Sequence, residues 1–184
     1  MNTSTAYGDS LAFLLSQVGA RSAALFAVAL GPLGIAPRQF AVLSQVASGQ
    51  PRTQQQLADL LGIHRNNMVA LIDEMEAAGW VARHRGETDR RVFEIRPTDR
   101  GANLVSTVNQ LIPELDSELT AALSDQQRDQ LANALQVIAD SLGLARAIHP
   151  HVASHAVSVA TAMTRTAAPN RPRDHVPDDE VAGA

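Results

Sequence analysis

Residues 53–79 read TQQQLADLLGIHRNNMVALIDEMEAAG, and their pattern predicts the fold. The first of these residues, Thr53, is followed three positions later by Gln56. This pair forms a capping box, in which each side chain bonds the other residue's backbone N–H, so a short helix is predicted to begin here and to end at Leu61. Gly62 then predicts a tight turn, because glycine adopts left-handed backbone conformations without steric strain.

A longer helix follows the turn, and we predict it from His64 to Ala78 with Gly79 as its C-terminal glycine cap. Two helices that meet at a sharp angle need a small residue at their contact, and Ala58 supplies it. They also need apolar residues on their facing sides. The positions predicted to face inward are Leu57, Leu61, Ile63, Met68 and Leu71. Segment 54–73 therefore has the pattern of a helix-turn-helix unit.

Four polar residues stand at the start of the second helix: His64, Arg65, Asn66 and Asn67. In a helix-turn-helix protein this part of the recognition helix meets base edges and phosphates. Asparagine can bond an adenine edge through two hydrogen bonds, and arginine can do the same to guanine or hold a phosphate. The alternative is an ordinary helical hairpin whose second helix begins with solvated polar residues. For Asn66 taken alone, both interpretations stand.

A β-hairpin is predicted directly after the second helix. Residues 80–85 and 90–96 fit two short strands around a polar turn. Pro97 ends the second strand, and Thr98 can cap a new helix. A helix-turn-helix followed by such a hairpin is a winged unit, and its wing tip is predicted around residues 89–91.

Two helices are predicted before this unit. The first extends from Asp9 to Leu30, and its apolar residues fall on one stripe: Leu11, Leu14, Leu15, Val18, Leu25, Phe26 and Ala29. Gly31, Pro32 and Gly34 end it. Pro37 suits the first turn of the second helix, which is predicted to continue to about Ser48.

Two further helices are predicted after the hairpin. The first begins after Thr98, carries an apolar seam and is expected to kink at Pro113. Its seam consists of Leu104, Val108, Leu111, Leu115 and Leu119. Ser124 and Gln127 form a second capping box, which opens a helix that ends at Gly143. The seam of this last helix consists of Leu131, Leu135, Ile138 and Leu142.

Composition agrees with a mainly α fold. The chain has 184 residues, of which 45% are hydrophobic and only 3% aromatic, so its core volume comes from aliphatic side chains that pack well between helices. The predicted fold is mainly α with a small β-hairpin wing: a winged helix-turn-helix at 35–101, flanked by N- and C-terminal dimerisation helices at 9–30 and 102–144. We expect residues 1–144 to form one domain. Residues 145–184 form a tail, in which Val152 to Met163 suit one marginal helix and 166–184 have a disordered composition.

The flanking helices are assigned to dimerisation because their seams exceed what a small winged unit could cover. The competing interpretation is that both helices fold back on their own chain. An isologous dimer would place two recognition helices about one DNA turn apart and would require a palindromic site.

The residues that would support other functions are absent or badly placed. The chain has no cysteine, which excludes disulfides, thiolate zinc sites and cysteine nucleophiles. It contains neither a glycine-rich phosphate loop nor a serine in an elbow motif, so we predict no enzyme activity and no cofactor. The only metal-like cluster is His149, His151 and His155, which has no acidic neighbour, and we predict no metal site. The net charge of −4 argues mildly against nucleic acid, but six arginines crowd into residues 83–100.

Nothing in the sequence predicts export or a membrane span. A secretory signal begins with basic residues, and residues 1–10 contain none. The longest uncharged stretch, Ser22 to Pro37, is interrupted by Gly31, Pro32 and Gly34 and is too short to cross a bilayer. We expect a cytoplasmic protein.

The hairpin and the residues after it resemble the MarR family of bacterial transcription regulators. That family carries an Asp-x-Arg wing followed, after five residues, by Leu-Thr-x-x-Gly. Here Asp89, Arg91, Thr98 and Gly101 match, whereas Pro97 replaces the leucine. The resemblance extends over the helix order from Leu11 to Leu144.

The resemblance implies a role for each wing residue. Arg91 would enter the minor groove, Asp89 would orient an arginine by an ion pair, and Arg90 would meet phosphate. A narrow minor groove concentrates negative potential, which an arginine at a hairpin tip can exploit. The alternative is a solvated hairpin with a local salt bridge. Arg83 and Arg85 either touch phosphate or balance acidic residues such as Glu94.

The implied function is that of a ligand-responsive repressor that binds double-stranded DNA as a homodimer. Family members commonly bind a small aromatic or phenolic effector between the dimer helices and the winged unit. The alternative function is that of a winged-helix module for protein interaction or DNA architecture, without operator specificity.

Overall fold

A computed structural model describes residues 7–86 and 90–144. The predicted tail and the histidines of 149–155 lie outside these residues, and so does Asp89. In the described ranges the chain forms six α-helices and three short strands. They are α1 (Leu11–Leu30), α2 (Pro37–Ala47), β1 (Arg52–Thr53), α3 (Gln54–Leu61), α4 (Arg65–Ala77), β2 (Val81–Arg85), β3 (Phe93–Pro97), α5 (Asp99–Leu119) and α6 (Asp125–Ser141). This is the predicted mainly α fold with a small β-sheet.

The capping residues read from the sequence begin the helices. The hydroxyls of Thr53 and Ser124 accept hydrogen bonds from the backbone N–H groups of residues 56 and 127, and the glutamine side chains at those positions bond back to the caps. Helix α1 begins two residues later than predicted, because Tyr7–Asp9 form a 3₁₀ turn and Ser10 is the N-cap. Helix α5 contains Pro113 in its interior. Local side-chain to backbone bonds therefore set most helix starts.

The sheet has one strand more than the sequence predicted. Strands β2 and β3 form the predicted antiparallel hairpin, and β1 pairs with the other side of β3, so the strand order is β1-β3-β2. In β1, Arg52 lies opposite Ile95. A strand of two residues is too short to show an alternating pattern in the sequence. It forms because β3, which is distant in sequence, has a free edge with which it can pair.

The core lies between α2, α3, α4 and the sheet. Leu43, Leu57, Met68, Ile72 and Met75 are almost fully buried there. Each such side chain contributes about 1.5–3 kcal/mol through removal of apolar surface from water. The inward face predicted for the helix-turn-helix is thus the face that is buried.

Helices α1 and α6 leave apolar side chains in solvent. On α1 the exposed seam includes Leu11, Leu14 and Val18, and only Leu30 of this helix is buried. No residue of α6 is buried, and its predicted seam is 36–68% exposed. Helix α5 differs, because Val108 of its seam is fully buried against the core. Within the described part of the chain, α6 and the first half of α1 do not cover their seams by folding back, whereas Phe26 in the second half of α1 packs against the core.

The uncharged stretch Ser22 to Pro37 is too short to cross a bilayer, but a different segment, which contains one charged residue, meets the criteria of length and composition. Leu11–Leu33 is one helical stretch of 23 residues that is long and apolar enough to cross a bilayer, because Gly31–Leu33 continue α1 as a 3₁₀ turn. Arg21, however, stands in its middle and lies 3.9 Å from Glu118 of α5. A charge at the centre of a span costs at least about 2.5 kcal/mol. The composition of α1 therefore suits an apolar interface better than a span.

Candidate nucleic-acid interface

The turn between α3 and α4 is built as the sequence predicted. Gly62 caps α3 in a left-handed conformation, with φ of 62°. The N–H of Ile63 donates to the carbonyl of Ala58 at 2.9 Å, which closes the turn over a buried small residue. A side chain at the glycine would meet steric strain at this φ. The left-handed glycine and the hydrogen bond from Ile63 together hold α3 and α4 at a fixed angle.

The first turn of α4 projects polar side chains into solvent. His64, Arg65, Asn66 and Asn67 are all exposed, whereas Met68 begins the buried face. His64 is the N-cap, and its Nδ1 accepts the N–H of Asn66 at 3.3 Å. No acidic residue lies in this first turn. A helix N-terminus without acidic neighbours favours anions such as phosphate.

The hairpin carries arginines toward its tip. Its last described hydrogen bond before the tip joins the N–H of Gly86 to the carbonyl of Val92 at 2.9 Å. Arg90 and Arg91 lie three and two residues before β3 and are exposed. Asp89, with its predicted ion pair, lies outside the described residues.

Arg85 lies along the stem of the hairpin. Its guanidinium lies 5.8 Å from the ring centroid of Phe93, the residue opposite it in β3. Its Nη1 also donates to the carbonyl of Arg90 at 3.4 Å. A cation above an aromatic face is attracted to the ring and keeps its remaining N–H groups for other acceptors. Arg85 therefore links the two sides of the hairpin, and its guanidinium remains exposed to a bound anion.

Arg83 is held by two carboxylates of α4. Its Nη2 donates to Asp73 at 2.5 Å, and its Nη1 donates to Glu76. Its backbone N–H donates to the second oxygen of Glu76 at 3.2 Å. Burial lowers the pKa of Arg83, but hydrogen bonds and charge from both carboxylates outweigh it and raise the pKa above its usual value.

Arg83 therefore does balance acidic residues, but these are Asp73 and Glu76 and not the suggested Glu94. Glu94 instead accepts from Arg96 at 3.0 Å. Arg83 and Glu94 stand on neighbouring strands, but successive side chains of a strand point to opposite faces, and the face of Arg83 is turned toward α4. The sequence signal that was missed is the spacing of Asp73 and Glu76, which puts both carboxylates on one side of α4.

No group of three metal-ligating side chains is found among residues 7–86 and 90–144. The exposed polar side chains predicted for the site lie in the first turn of α4 and on the hairpin. These are the parts of a winged unit that face a nucleic acid.

The family model that matches the chain is that of the MarR family, over residues 33–92. A curated relative, a putative transcriptional regulatory protein for the hcr operon of Thauera aromatica, is 26% identical over 103 residues. That match covers 56% of this chain and 62% of the relative, so the chain spans less than two thirds of that relative's length.

Solved structures match over more of the chain. Ligand-free MarR from E. coli is 26% identical, with a TM-score of 0.63 over 70% of this chain and 96% of that one. The transcriptional repressor CouR bound to a 23-mer DNA duplex is 30% identical, with a TM-score of 0.62 over 72% and 94%. CouR from Rhodococcus jostii RHA1 bound to p-coumaroyl-CoA is 30% identical, with a TM-score of 0.60 over 74% and 96%.

Proposed function

The chain belongs to the MarR family, and we propose that it is a sequence-specific transcription repressor that binds double-stranded DNA as a homodimer and responds to a small ligand. One observation carries the proposal. The exposed polar turn at Arg65 to Asn67 and the exposed arginines 90 and 91 belong to the same winged unit. Protein-binding winged domains have no need of either feature. Such a protein acts in the cytoplasm, where bacterial DNA lies.

The predicted site residues have proposed contacts with DNA, and His64, the N-cap of α4, is proposed to meet a base edge or phosphate. Asn66 and Asn67 read base edges in the major groove, and Arg65 bonds guanine or phosphate. Arg91 enters the minor groove and Arg90 meets phosphate, with Asp89 orienting an arginine. Arg85 keeps a proposed phosphate contact, because its stacked guanidinium is exposed. For Arg83 the ion pairs with α4 support a role inside the protein rather than a contact with DNA.

The proposed dimer is formed by α1, α5 and α6. Its support is the exposed seam of α1, with Leu11 at 67% and Val18 at 52% exposure, together with the uncovered seam of α6. Apolar surface of this extent is covered when a second copy packs against it. A two-fold axis through these helices would present two α4 helices to successive major grooves.

The proposed effector is a small aromatic or phenolic acid or its thioester. Support comes from CouR, which was solved with p-coumaroyl-CoA and is 30% identical to this chain. Calorimetry with p-coumaroyl-CoA and with simple phenolic acids tests the proposal, and DNA release is measured in parallel by fluorescence anisotropy. The proposal fails if none of these compounds binds or releases DNA.

Selection of bound sequences from random duplex DNA by the purified full chain tests the central claim. We expect enrichment of a palindrome whose half-sites lie about 10 base pairs apart, centre to centre. Enrichment of no sequence, with equal affinity for random DNA, would favour an architectural role. Failure to bind any duplex would favour a protein-interaction module.

A further inference from the structure

One residue of β2 joins the hairpin to the recognition helix α4 through three hydrogen bonds. Arg83 donates through two guanidinium nitrogens to Asp73 and Glu76, and its own backbone N–H donates to Glu76. We call Arg83, Asp73 and Glu76 the clamp. Its two acceptors are separated by one turn of α4, so the planar guanidinium spans that turn. A forked, two-carboxylate contact fixes orientation as well as distance.

The clamp lies at the base of the wing, not at its tip. Arg83 pairs with Ile95, which is buried, whereas the next pair of residues on that face, Arg85 and Phe93, is exposed. On this face of the hairpin, the side chains just beyond the clamp are therefore exposed. Arg91 lies four residues before Ile95, the partner of Arg83 in β3, which corresponds to at most about 13 Å of extended chain.

A small change of angle at the clamp is enlarged at the tip. A tilt of about 10° over that length displaces Arg91 by about 2 Å. Hydrogen bonds to base edges and phosphates tolerate only a few tenths of an ångström. The contacts of Arg91 therefore depend on the angle at which the clamp holds the hairpin to α4.

The clamp also changes the charge of the recognition helix. Asp73 and Glu76 are 59% and 39% exposed on α4, where they would repel DNA phosphates if they were unpaired. Arg83 places a positive charge against both. Its own side chain is only 23% exposed, so its charge acts mainly on the two carboxylates and less on DNA.

We propose that Arg83 is a positioning residue, which sets the angle between α4 and the wing so that both reach the same DNA segment together. The effect of Arg83 on DNA binding rests on the proposed function. The claim that Arg83 sets the angle between α4 and the wing does not. These two claims call for separate measurements.

The first measurement is made without DNA. The chain has no native cysteine, so cysteines introduced at Ala70 of α4 and Val92 of the wing, both exposed, can be spin-labelled selectively. Labelled chains are diluted with unlabelled ones so that only the intramolecular distance is measured. We expect Arg83→Gln to broaden the distance distribution. Arg128→Gln, which breaks the pair with Asp125 on α6 and removes the same charge, should leave it unchanged. An unchanged width in Arg83→Gln overturns the proposal.

The second measurement is a double-mutant cycle on DNA affinity between Arg83 and Arg91. Arg91→Ala should weaken binding about tenfold in the otherwise native chain and by a clearly smaller factor when Arg83→Gln is present. An ion pair that only stabilised the fold would lower Tm and leave this factor the same in both backgrounds, which would overturn the proposal.

Arg83→Lys separates charge from geometry and guards against a misfolded glutamine variant. Lysine keeps the positive charge but lacks the planar fork that reaches both carboxylates. We expect it to recover part of the DNA affinity and to retain the broad distance distribution; a native width would overturn the proposal. If Arg91→Ala has no effect in the native chain, the proposed wing contact is wrong, and the distance distributions alone decide the role of Arg83.

Discussion

Gly101 lies directly against the carbonyl of Trp80: a Cβ at Gly101 would come within 2.0 Å of that oxygen. The same joint includes Thr98, whose N–H donates to the carbonyl of Trp80 at 3.0 Å and whose hydroxyl donates to the carbonyl of Gly79 at 2.6 Å. The first turn of α5 is thus fastened to the turn that ends α4. This contact is the physical reason for the Thr-x-x-Gly part of the motif.

Gly101→Ala should destabilise the fold. The methyl group would overlap backbone atoms, which cannot move aside as a flexible side chain can, and overpacking typically costs about 1–3 kcal/mol. Thermal unfolding measures the effect as a lower Tm. The matched control is Gly19→Ala in α1, where nothing lies within 4 Å of the added Cβ and alanine is the better helix former. Equal stability of Gly101→Ala and the native chain would contradict the close contact.

Arg91→Ala should weaken DNA binding by about 1–3 kcal/mol without unfolding the protein, because an exposed wing residue supports no core contact. Fluorescence anisotropy on the selected palindrome measures the affinity, and circular dichroism monitors the fold. Arg128→Ala on α6 is the control for loss of one positive charge. Unchanged affinity in Arg91→Ala would remove the wing from the proposed interface.

Asn66→Ala should change sequence preference more than affinity for random DNA. An asparagine that bonds a base edge contributes discrimination of about 1–3 kcal/mol at one base pair, whereas non-specific affinity comes mainly from phosphate contacts. Repeated selection from random DNA with this variant shows whether one position of each half-site is relaxed. The same preference in variant and native chain would make Asn66 a solvated helix residue.

Val18→Glu should dissociate the homodimer and reduce DNA affinity. The side chain belongs to the exposed seam of α1, and a carboxylate there would lose its hydration when a second copy covers it. Light scattering coupled to gel filtration gives the molar mass of variant and native chain. Gln17→Glu, at the adjacent exposed position outside the seam, should keep the native mass. A native-mass Val18→Glu protein would contradict an interface on this face.

Helix boundaries in this chain could be predicted because they rest on contacts between residues close in sequence. Thr53 with Gln56, Ser124 with Gln127, and Gly62 at a φ of 62° act within one turn of chain. The exposed polar start of α4 could also be predicted, since the 3.6-residue period fixes which positions face outward once the buried ones are known. The motif of Thr98 and Gly101 could be read as a resemblance, although its physical reason could not.

Contacts between residues that are distant in sequence could not be predicted, because they depend on how the helices and strands pack. The winged helix-turn-helix frame and the exposed start of α4 could be predicted from the amino-acid sequence alone. Only the folded chain showed that Arg52 and Thr53 form a third strand, that Val108 is used by the core, and that Arg83 pairs with Asp73 and Glu76 instead of Glu94. The physical reason is that the hydrogen bonds of a helix cap join residues within one turn of helix. The partner of a strand residue depends instead on which helix packs against its face of the sheet.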